Sequence, residues 1–108
     1  MGYELTTREK LFRFFLENPG SEIDLYQLTR ELGLRPSDYK EVLENINHVA
    51  KTIRRKSNGK MLLMMKPPMC ASCGYVFREL EKARLPSRCP VCKSERIRPP
   101  SFMLVVQE

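Results

Sequence analysis

The chain has 108 residues, with 19 Lys and Arg, 13 Asp and Glu, and a formal net charge of +6. This length suits one ordinary core, or a small core with a metal-stabilised module, and it excludes a large catalytic domain. The sequence does not open on a basic segment followed by an apolar run, and no stretch approaches the roughly 20 apolar residues of a membrane span. We therefore expect a cytoplasmic protein without a membrane partner.

The positive charge is concentrated in the second half of the chain. Residues 1–50 carry six Lys and Arg against nine Asp and Glu, whereas residues 51–108 carry thirteen against four. A zinc ion bound by four thiolates adds −2 and still leaves the protein basic. Such a surface suits a polyanion, although the same excess also serves as an ordinary solvated surface.

Two short helices are predicted in the first third of the chain. Thr6 followed by Glu9 is the pattern of a capping box, in which each side chain satisfies a free backbone amide of the first turn. An apolar stripe follows and ends at residues 18–20, Asn-Pro-Gly. Asp24 predicts the N-cap of the second helix, and Gly33 predicts its end because glycine adopts a positive φ at low cost.

A third helix is predicted to begin at Pro36, since proline is tolerated only in the first turn. Its buried face recurs at intervals of four, three and four residues, at Val42, Ile46, Val49 and Ile53. His48, the single histidine, is interpreted as a partly exposed residue of this helix. Residues 57–60, Ser-Asn-Gly-Lys, predict a tight turn because Asn-Gly tolerates left-handed conformations.

Two apolar segments, residues 61–65 and 102–106, predict strands. A Pro-Pro pair, at 67–68 and at 99–100, separates each strand from the cysteine-containing segment between them. The most economical arrangement pairs the two strands with each other in an antiparallel ladder.

This pairing predicts two units. Residues 67–100 are then an insertion within a hairpin, and the body is formed by residues 1–66 with a C-terminal strand in residues 101–108. In the alternative arrangement, the last strand belongs to the inserted segment.

The four cysteines occur as two pairs, Cys70 with Cys73 and Cys89 with Cys92, and fifteen residues separate the pairs. Two residues between thiols let each pair form a tight loop that presents both sulfurs to one ion. Gly74 follows the first pair and provides a positive φ that points backbone amides at sulfur. The pattern predicts one structural zinc ion held by all four cysteines, with no open coordination position for catalysis.

Three other uses of the cysteines compete with zinc. Two disulfides are disfavoured without a secretory signal, and a redox dithiol is disfavoured because two pairs are present without a thioredoxin-like context. Iron is the third, because Cys73-Gly74-Tyr75 and residues 89–92, Cys-Pro-Val-Cys, resemble the knuckles of rubredoxin. Lys93 stands where rubredoxins have glycine, however, and the gap between the knuckles is much shorter. Zinc is therefore the preferred metal.

Three helices followed by a hairpin is the element order of a winged helix, in which the second and third helices form a helix-turn-helix and the hairpin is the wing. Nearly the whole chain resembles a family of archaeal winged-helix proteins with a rubredoxin-like zinc ribbon, described as predicted transcriptional regulators. The motifs that carry this resemblance are Arg54-Arg55-Lys56, residues 67–73, residues 73–78 and residues 86–90. We therefore expect an α+β fold, a winged helix-turn-helix with a four-cysteine zinc ribbon inserted in the wing hairpin.

The basic residues indicate how such a protein contacts DNA. At the start of the third helix, where base readout is expected, Asp38, Glu41 and Glu44 repel phosphates. Arg35, Lys40 and Asn45 are the favourable exceptions there. The other candidates lie later in the chain: Lys51, Arg54, Arg55, Lys60, Arg78, Lys82, Arg84, Arg88, Lys93, Arg96 and Arg98. We predict a docking mode that uses the wing and the ribbon and depends little on Arg35 or Asn45.

The sequence supports two classes of function. The first is a DNA-binding transcriptional regulator that contacts double-stranded DNA mainly through its basic wing and ribbon. The second is an adaptor module that docks on a larger nucleic-acid machine, such as the transcription machinery, through its ribbon or its helices. We expect no enzymatic activity, because the sequence has no glycine-rich phosphate loop, catalytic dyad or open metal position.

Both predicted strands are apolar on both faces, whereas a sheet with helices on one side normally alternates. Either the ribbon or a second copy of the chain must cover the second face. Of these we expect a homodimer, which also suits a palindromic operator.

Overall fold

The computed structural model describes residues 5–107. Residues 1–4 and Glu108, which the predicted body includes at its two ends, lie outside this part of the chain. Its elements are α1 (Thr7–Glu17), β1 (Ile23–Asp24), α2 (Leu25–Glu31), a 3₁₀ helix (Pro36–Asp38), α3 (Tyr39–Lys56), β2 (Met61–Lys66), β3 (Met69–Cys70), β4 (Ile97–Arg98) and β5 (Ser101–Val106). Among the described residues, no helix is both long and apolar enough to cross a membrane.

The predicted helix starts in the first third of the chain are confirmed by their caps. The Glu9 amide donates to Thr6 Oγ1 at 3.1 Å, and the Thr6 amide donates to Glu9 Oε1 at 3.2 Å. A second capping box joins Asp24 and Gln27, whose amide donates to the Asp24 carboxylate at 2.9 Å. Gly33, with φ at +74°, follows the end of α2 as predicted.

The third helix begins later than predicted. Pro36 opens a 3₁₀ turn, and regular α-helix starts only at Tyr39. The Asp38 carboxylate accepts the Arg35 amide at 3.0 Å and so satisfies a free donor of this turn. The predicted buried face is confirmed, since Val42, Ile46, Val49 and Ile53 are each at most 2% exposed.

The two apolar strands pair antiparallel, as predicted. Met61 lies opposite Val106, and Lys66 lies opposite Ser101, so the whole of β2 is matched to the whole of β5. Strand β1 pairs with the other side of β5, which makes β5 the central strand of a three-stranded sheet with the order β1-β5-β2. The last strand therefore belongs to the sheet of the body.

The core lies between this sheet and the three helices. Phe15 of α1, Leu28 of α2 and Ile46 of α3 are buried against Phe102 and Leu104 of β5. Because all three helices contribute fully buried side chains, most of the hydrophobic core lies within the body.

The outer face of the sheet, defined by Leu62, Met64, Met103 and Val105, points away from this core. Leu62 lies opposite Val105 and Met64 opposite Met103, and Met64 is 50% exposed. The other three side chains are partly exposed. Within a single chain, the ribbon therefore leaves this face incompletely covered.

Residues 67–100, called the ribbon below, form a separate two-stranded sheet from β3 and β4. Pro68 and Pro100, one from each Pro-Pro pair, are fully buried where the ribbon meets the body. The Leu25 amide at the start of α2 donates to the Pro100 carbonyl at 3.0 Å. Because proline also has a fixed φ, these contacts limit how the ribbon can tilt relative to the body.

Within the segment between the two cysteine pairs, residues 78–88 are called the inter-knuckle loop, which packs against α3. Its Ala83 is buried as part of the main core, and the Ala83 amide donates to the Asn47 side-chain oxygen at 3.0 Å. Leu85 also packs against the core. The ribbon is thus held to the helical body by side-chain contacts as well as by its two covalent connections.

Candidate metal centre

The two cysteine knuckles have the same backbone conformation. The Gly74 amide donates to the Cys70 carbonyl at 3.0 Å, and the Lys93 amide donates to the Cys89 carbonyl at the same distance. Gly74 and Lys93 both have positive φ, at +83° and +65°. Each knuckle is therefore a tight turn closed by a left-handed residue, and the two turns present their sulfurs to a common point.

The four sulfurs have the spacing of a tetrahedral metal site. All four Sγ atoms lie within 4.8 Å of one another, with Cys70 and Cys92 at 3.5 Å and Cys73 and Cys89 at 3.6 Å. Zinc–sulfur bonds of about 2.3 Å in a tetrahedron place the sulfurs about 3.8 Å apart, whereas a disulfide requires about 2.05 Å. The first cysteine of each pair is buried and the second is exposed.

Backbone amides lower the pKa of Cys70 and of Cys73, whereas the neighbouring thiols lower it at Cys70 and raise it at Cys73. The Cys73 amide, which points at Cys70, lowers the pKa of that thiol to about 6. The Tyr75 amide lowers the pKa of Cys73, but desolvation and the neighbouring thiols outweigh it and raise that pKa to about 12. Four sulfurs this close do not all ionise without a cation among them, and a divalent ion removes this repulsion.

The donor set fits one structural zinc ion. Four thiolates in a closed tetrahedral arrangement are typical of structural zinc. The Val91 amide donates to Cys89 Sγ at 3.4 Å and so helps to orient this ligand. With all four positions filled by protein, the ion has a structural role. The ligands Cys70, Cys73, Cys89 and Cys92 are those predicted from their spacing.

Three of the predicted DNA-contacting residues lie together at the C-terminal end of α3. Lys51, Arg54 and Arg55, called the α3 basic cluster below, are exposed and line a shallow depression of about 450 Å³ with Asn58 and Gly59. Lys60 is exposed in the turn that follows.

Three further predicted residues lie around a groove between α3 and the inter-knuckle loop. Lys40 is on the α3 side of this groove, and Lys82 and Arg84 are on the loop side. The remaining candidates are exposed on the ribbon, namely Arg78, Arg88, Lys93, Arg96 and Arg98. The sequence separates Lys40 from the loop cations by more than 40 positions, and the fold brings them to one groove.

Arg35 and Asn45 already have partners within the chain. Arg35 Nε lies 3.5 Å from the Asp38 carboxylate. The Asn45 side-chain oxygen accepts from Arg8 Nε at 3.2 Å, and its amide group donates to the Glu41 carbonyl at 2.8 Å. Any nucleic-acid contact through Asn45 would have to replace these bonds.

Sequence reasoning missed the packing of the inter-knuckle loop on α3. The available signal was the apolar spacing of Leu80, Ala83 and Leu85, which a solvated loop does not require. Asn47, which binds the Ala83 amide, carried no signal, because an asparagine on a helix surface is common.

The comparisons with known families agree with this geometry. Residues 6–63 match the family described as PF0610-like, N-terminal, and residues 67–106 match the PF0610 rubredoxin-like zinc beta-ribbon domain. The fold and the cysteine site together define an α+β protein with a rubredoxin-like zinc ribbon. The chain belongs to the PF0610-like family. The ribbon match includes β5, although β5 pairs with the strands of the body.

A solved structure supports the same assignment. The solution NMR structure of protein PF0610 from Pyrococcus furiosus is similar to this chain, with 33% sequence identity and a TM-score of 0.64. The similarity covers 96% of this chain and 95% of that one. No curated protein matches the sequence.

We predict that Lys93→Gly stabilises the zinc-bound protein. A non-glycine residue in the left-handed region costs on the order of 1 kcal/mol, and Lys93 occupies it where the first knuckle has Gly74. Part of this gain is lost because glycine makes the unfolded chain more flexible, so we expect a net gain of about 0.5 kcal/mol. Thermal unfolding at a fixed zinc concentration measures it.

Lys93→Ala is the matched control, because alanine removes the charge but keeps the unfavourable φ. It should not stabilise the protein, since a cation beside a tetrathiolate site is favourable. Equal stabilisation by the alanine and glycine variants would contradict the conformational explanation.

Proposed function

We propose that the protein is a DNA-binding transcriptional regulator of the winged-helix type. The order of elements supports this: α2 and α3 follow the order of a helix-turn-helix, and β2 and β5 correspond to the wing hairpin with the ribbon inserted at its tip. The proposed regulator binds double-stranded DNA and uses its zinc ion only to hold the ribbon.

The distribution of exposed charge is the observation that carries this proposal. The α3 basic cluster and the ribbon cations point into solvent, and within residues 5–107 none of them is in an ion pair. Unpaired surface cations attract phosphates and release the counterions of DNA on binding. The acidic residues of α3 lie at its other end, where Glu41 accepts a hydrogen bond from Thr7 at 2.8 Å.

This charge pattern defines the docking mode. The start of α3 carries Glu41 and Glu44, which are unfavourable in a major groove. The proposed DNA surface therefore consists of the C-terminal end of α3, the turn at Lys60 and the cations of the ribbon. Arg35 and Asn45 contribute little, because their polar groups are engaged within the chain.

We predict that Arg54→Ala/Arg55→Ala weakens duplex DNA binding and makes it less sensitive to salt. Each lost phosphate contact should reduce the slope of log K against log salt by about 0.9, so the double variant should lower it by up to about 1.8. Fluorescence anisotropy with a labelled 20-base-pair duplex across a salt series measures this slope. Arg88→Ala/Arg96→Ala should act in the same direction.

Arg35→Ala is the matched control and should leave the slope unchanged. The proposed docking mode is wrong if Arg35→Ala abolishes binding while both double variants bind normally. Absence of any salt-dependent duplex binding by the native protein would favour the second candidate, a protein-interaction adaptor.

We also propose that two copies pair through the outer face of the sheet. Leu62, Met64 and Met103 are apolar and partly exposed there, and a cleft of about 470 Å³ beside Lys66 continues this surface towards the ribbon. Asp24 and Lys66 lie opposite Ser101 on the two neighbouring strands and therefore share a face of the sheet. In a two-fold dimer, Asp24 of one copy can match Lys66 of the other. Such a homodimer suits a palindromic site.

Sedimentation velocity at high micromolar concentration tests the dimer. The native protein should sediment as a dimer, and Met64→Lys should sediment as a monomer because it places a charge in the centre of the apolar face. A native protein that remains monomeric under these conditions contradicts the dimer but leaves the DNA proposal intact.

A further inference from the structure

The groove between α3 and the inter-knuckle loop has an apolar floor that neither the zinc site nor the DNA proposal explains. It has a volume of about 690 Å³ and is walled on one side by α3 and on the other by the ribbon. The partly buried apolar residues that line it are Leu43, Phe77, Leu80, Leu85 and Pro86. An apolar groove that stays accessible to water is a typical site for a protein partner.

The groove is preformed. Leu43 and Leu85 pack against the hydrophobic core from opposite walls, so neither side chain can move without disturbing that core. The hydrogen bond between the Ala83 amide and Asn47 fixes the loop wall to the helix wall. A preformed groove orders fewer groups when a partner binds, and this lowers the entropic cost of association.

The rim of the groove is positively charged. Lys40, Lys82 and Arg84 are exposed along it, whereas Glu44 is the one acidic residue that lines it. Glu81 of the same loop lines a different cavity, on the side that faces the core. Within residues 5–107, none of the three cations is in an ion pair. The groove therefore presents a rim of net positive charge above an apolar floor.

We propose that this groove binds an acidic amphipathic helix of a partner protein. Leucine-like side chains of such a helix, spaced three and four residues apart, would cover the apolar floor, and its carboxylates would meet Lys40, Lys82 and Arg84. A nucleic-acid strand fits less well, because the floor is mainly aliphatic. Its one aromatic ring, Phe77, packs edge to face with Tyr75, with ring centroids 5.0 Å apart. This inference does not rest on DNA binding.

The test uses a fluorescein-labelled 14-residue peptide of Leu, Glu and Ala, with leucines at positions i, i+3, i+4 and i+7. The full-length zinc-bound protein should bind it with a Kd on the order of 10–100 µM, as expected for a small transient interface. In a ¹H–¹⁵N spectrum, the shifts should concentrate at Leu43, Glu44 and Asn47 of α3 and at residues 80–85. A scrambled peptide of the same composition should bind at least about tenfold more weakly, because it lacks the helical spacing.

Two variants separate the charged rim from the apolar floor. Lys82→Glu/Arg84→Glu should weaken peptide binding by about tenfold or more, because it reverses two of the three rim charges. Leu80→Asp should weaken it about as much. Leu80 lines the groove but is not among the residues packed on the core, so this variant should fold. Zinc content and spectral dispersion verify the folding of both variants.

The matched controls are Lys51→Glu on α3, outside the groove, and Leu16→Asp on α1. Both should change peptide affinity less than about twofold. Arg54→Ala/Arg55→Ala should impair duplex binding and leave peptide binding intact, so failure of one proposal is distinguishable from failure of the other.

Three results would overturn the inference. The first is a scrambled peptide that binds as tightly as the helical one. The second is a rim variant that binds the peptide normally, and the third is a set of spectral shifts that falls on the outer face of the sheet. Displacement of the peptide by duplex DNA, with DNA shifting the same groove residues, would assign the groove to nucleic acid instead.

Discussion

Four thiolates around one divalent cation are the interaction on which the rest of the ribbon depends. The ribbon has only two strands of two residues each and no helix, so backbone pairing alone cannot stabilise it. Structural zinc supplies roughly 10–16 kcal/mol in small peptides, which exceeds what such a segment gains from burial. Because the ligands come from both ends of the inter-knuckle loop, the same ion also closes that loop and holds it in one conformation.

Contacts between the ribbon and the body determine where the closed inter-knuckle loop lies. Strand β5 is central in the sheet, and buried prolines on both sides of the ribbon limit its movement relative to the helices. The closed loop is thereby placed against α3, with Ala83 in the core and its amide bound to Asn47. The groove with the positive rim and the proposed DNA surface both result from this placement. Lys82 and Arg84 of the ribbon lie on the rim of the groove, whereas the α3 basic cluster lies outside it. One metal ion thus supports two separable binding proposals without contacting either ligand.

The parts of the fold that depend on local chemistry were predictable from the sequence. Neighbouring residues determine the capping boxes at Thr6 and Asp24, the end of α2 at Gly33 and the cysteine spacing. The pairing of the two apolar strands was predictable because the sequence offers no other strand of similar length. Contacts between distant segments were not predictable. The Asn47 bond to Ala83 joins residues 36 positions apart and depends on the final packing of the ribbon. The late start of α3 was missed because a 3₁₀ turn and an α-helical turn accept proline equally well.

The exchange rate of the Ala83 amide hydrogen, measured with zinc bound and after removal of zinc by a chelator, tests the central claim most directly. If the metal holds the inter-knuckle loop against α3, removal should raise this rate by at least about tenfold, while amides in the middle of α3 stay protected by the core of the body. An Ala83 amide that remains equally protected in protein shown to be free of metal would contradict the account, because the loop would then be held by packing alone.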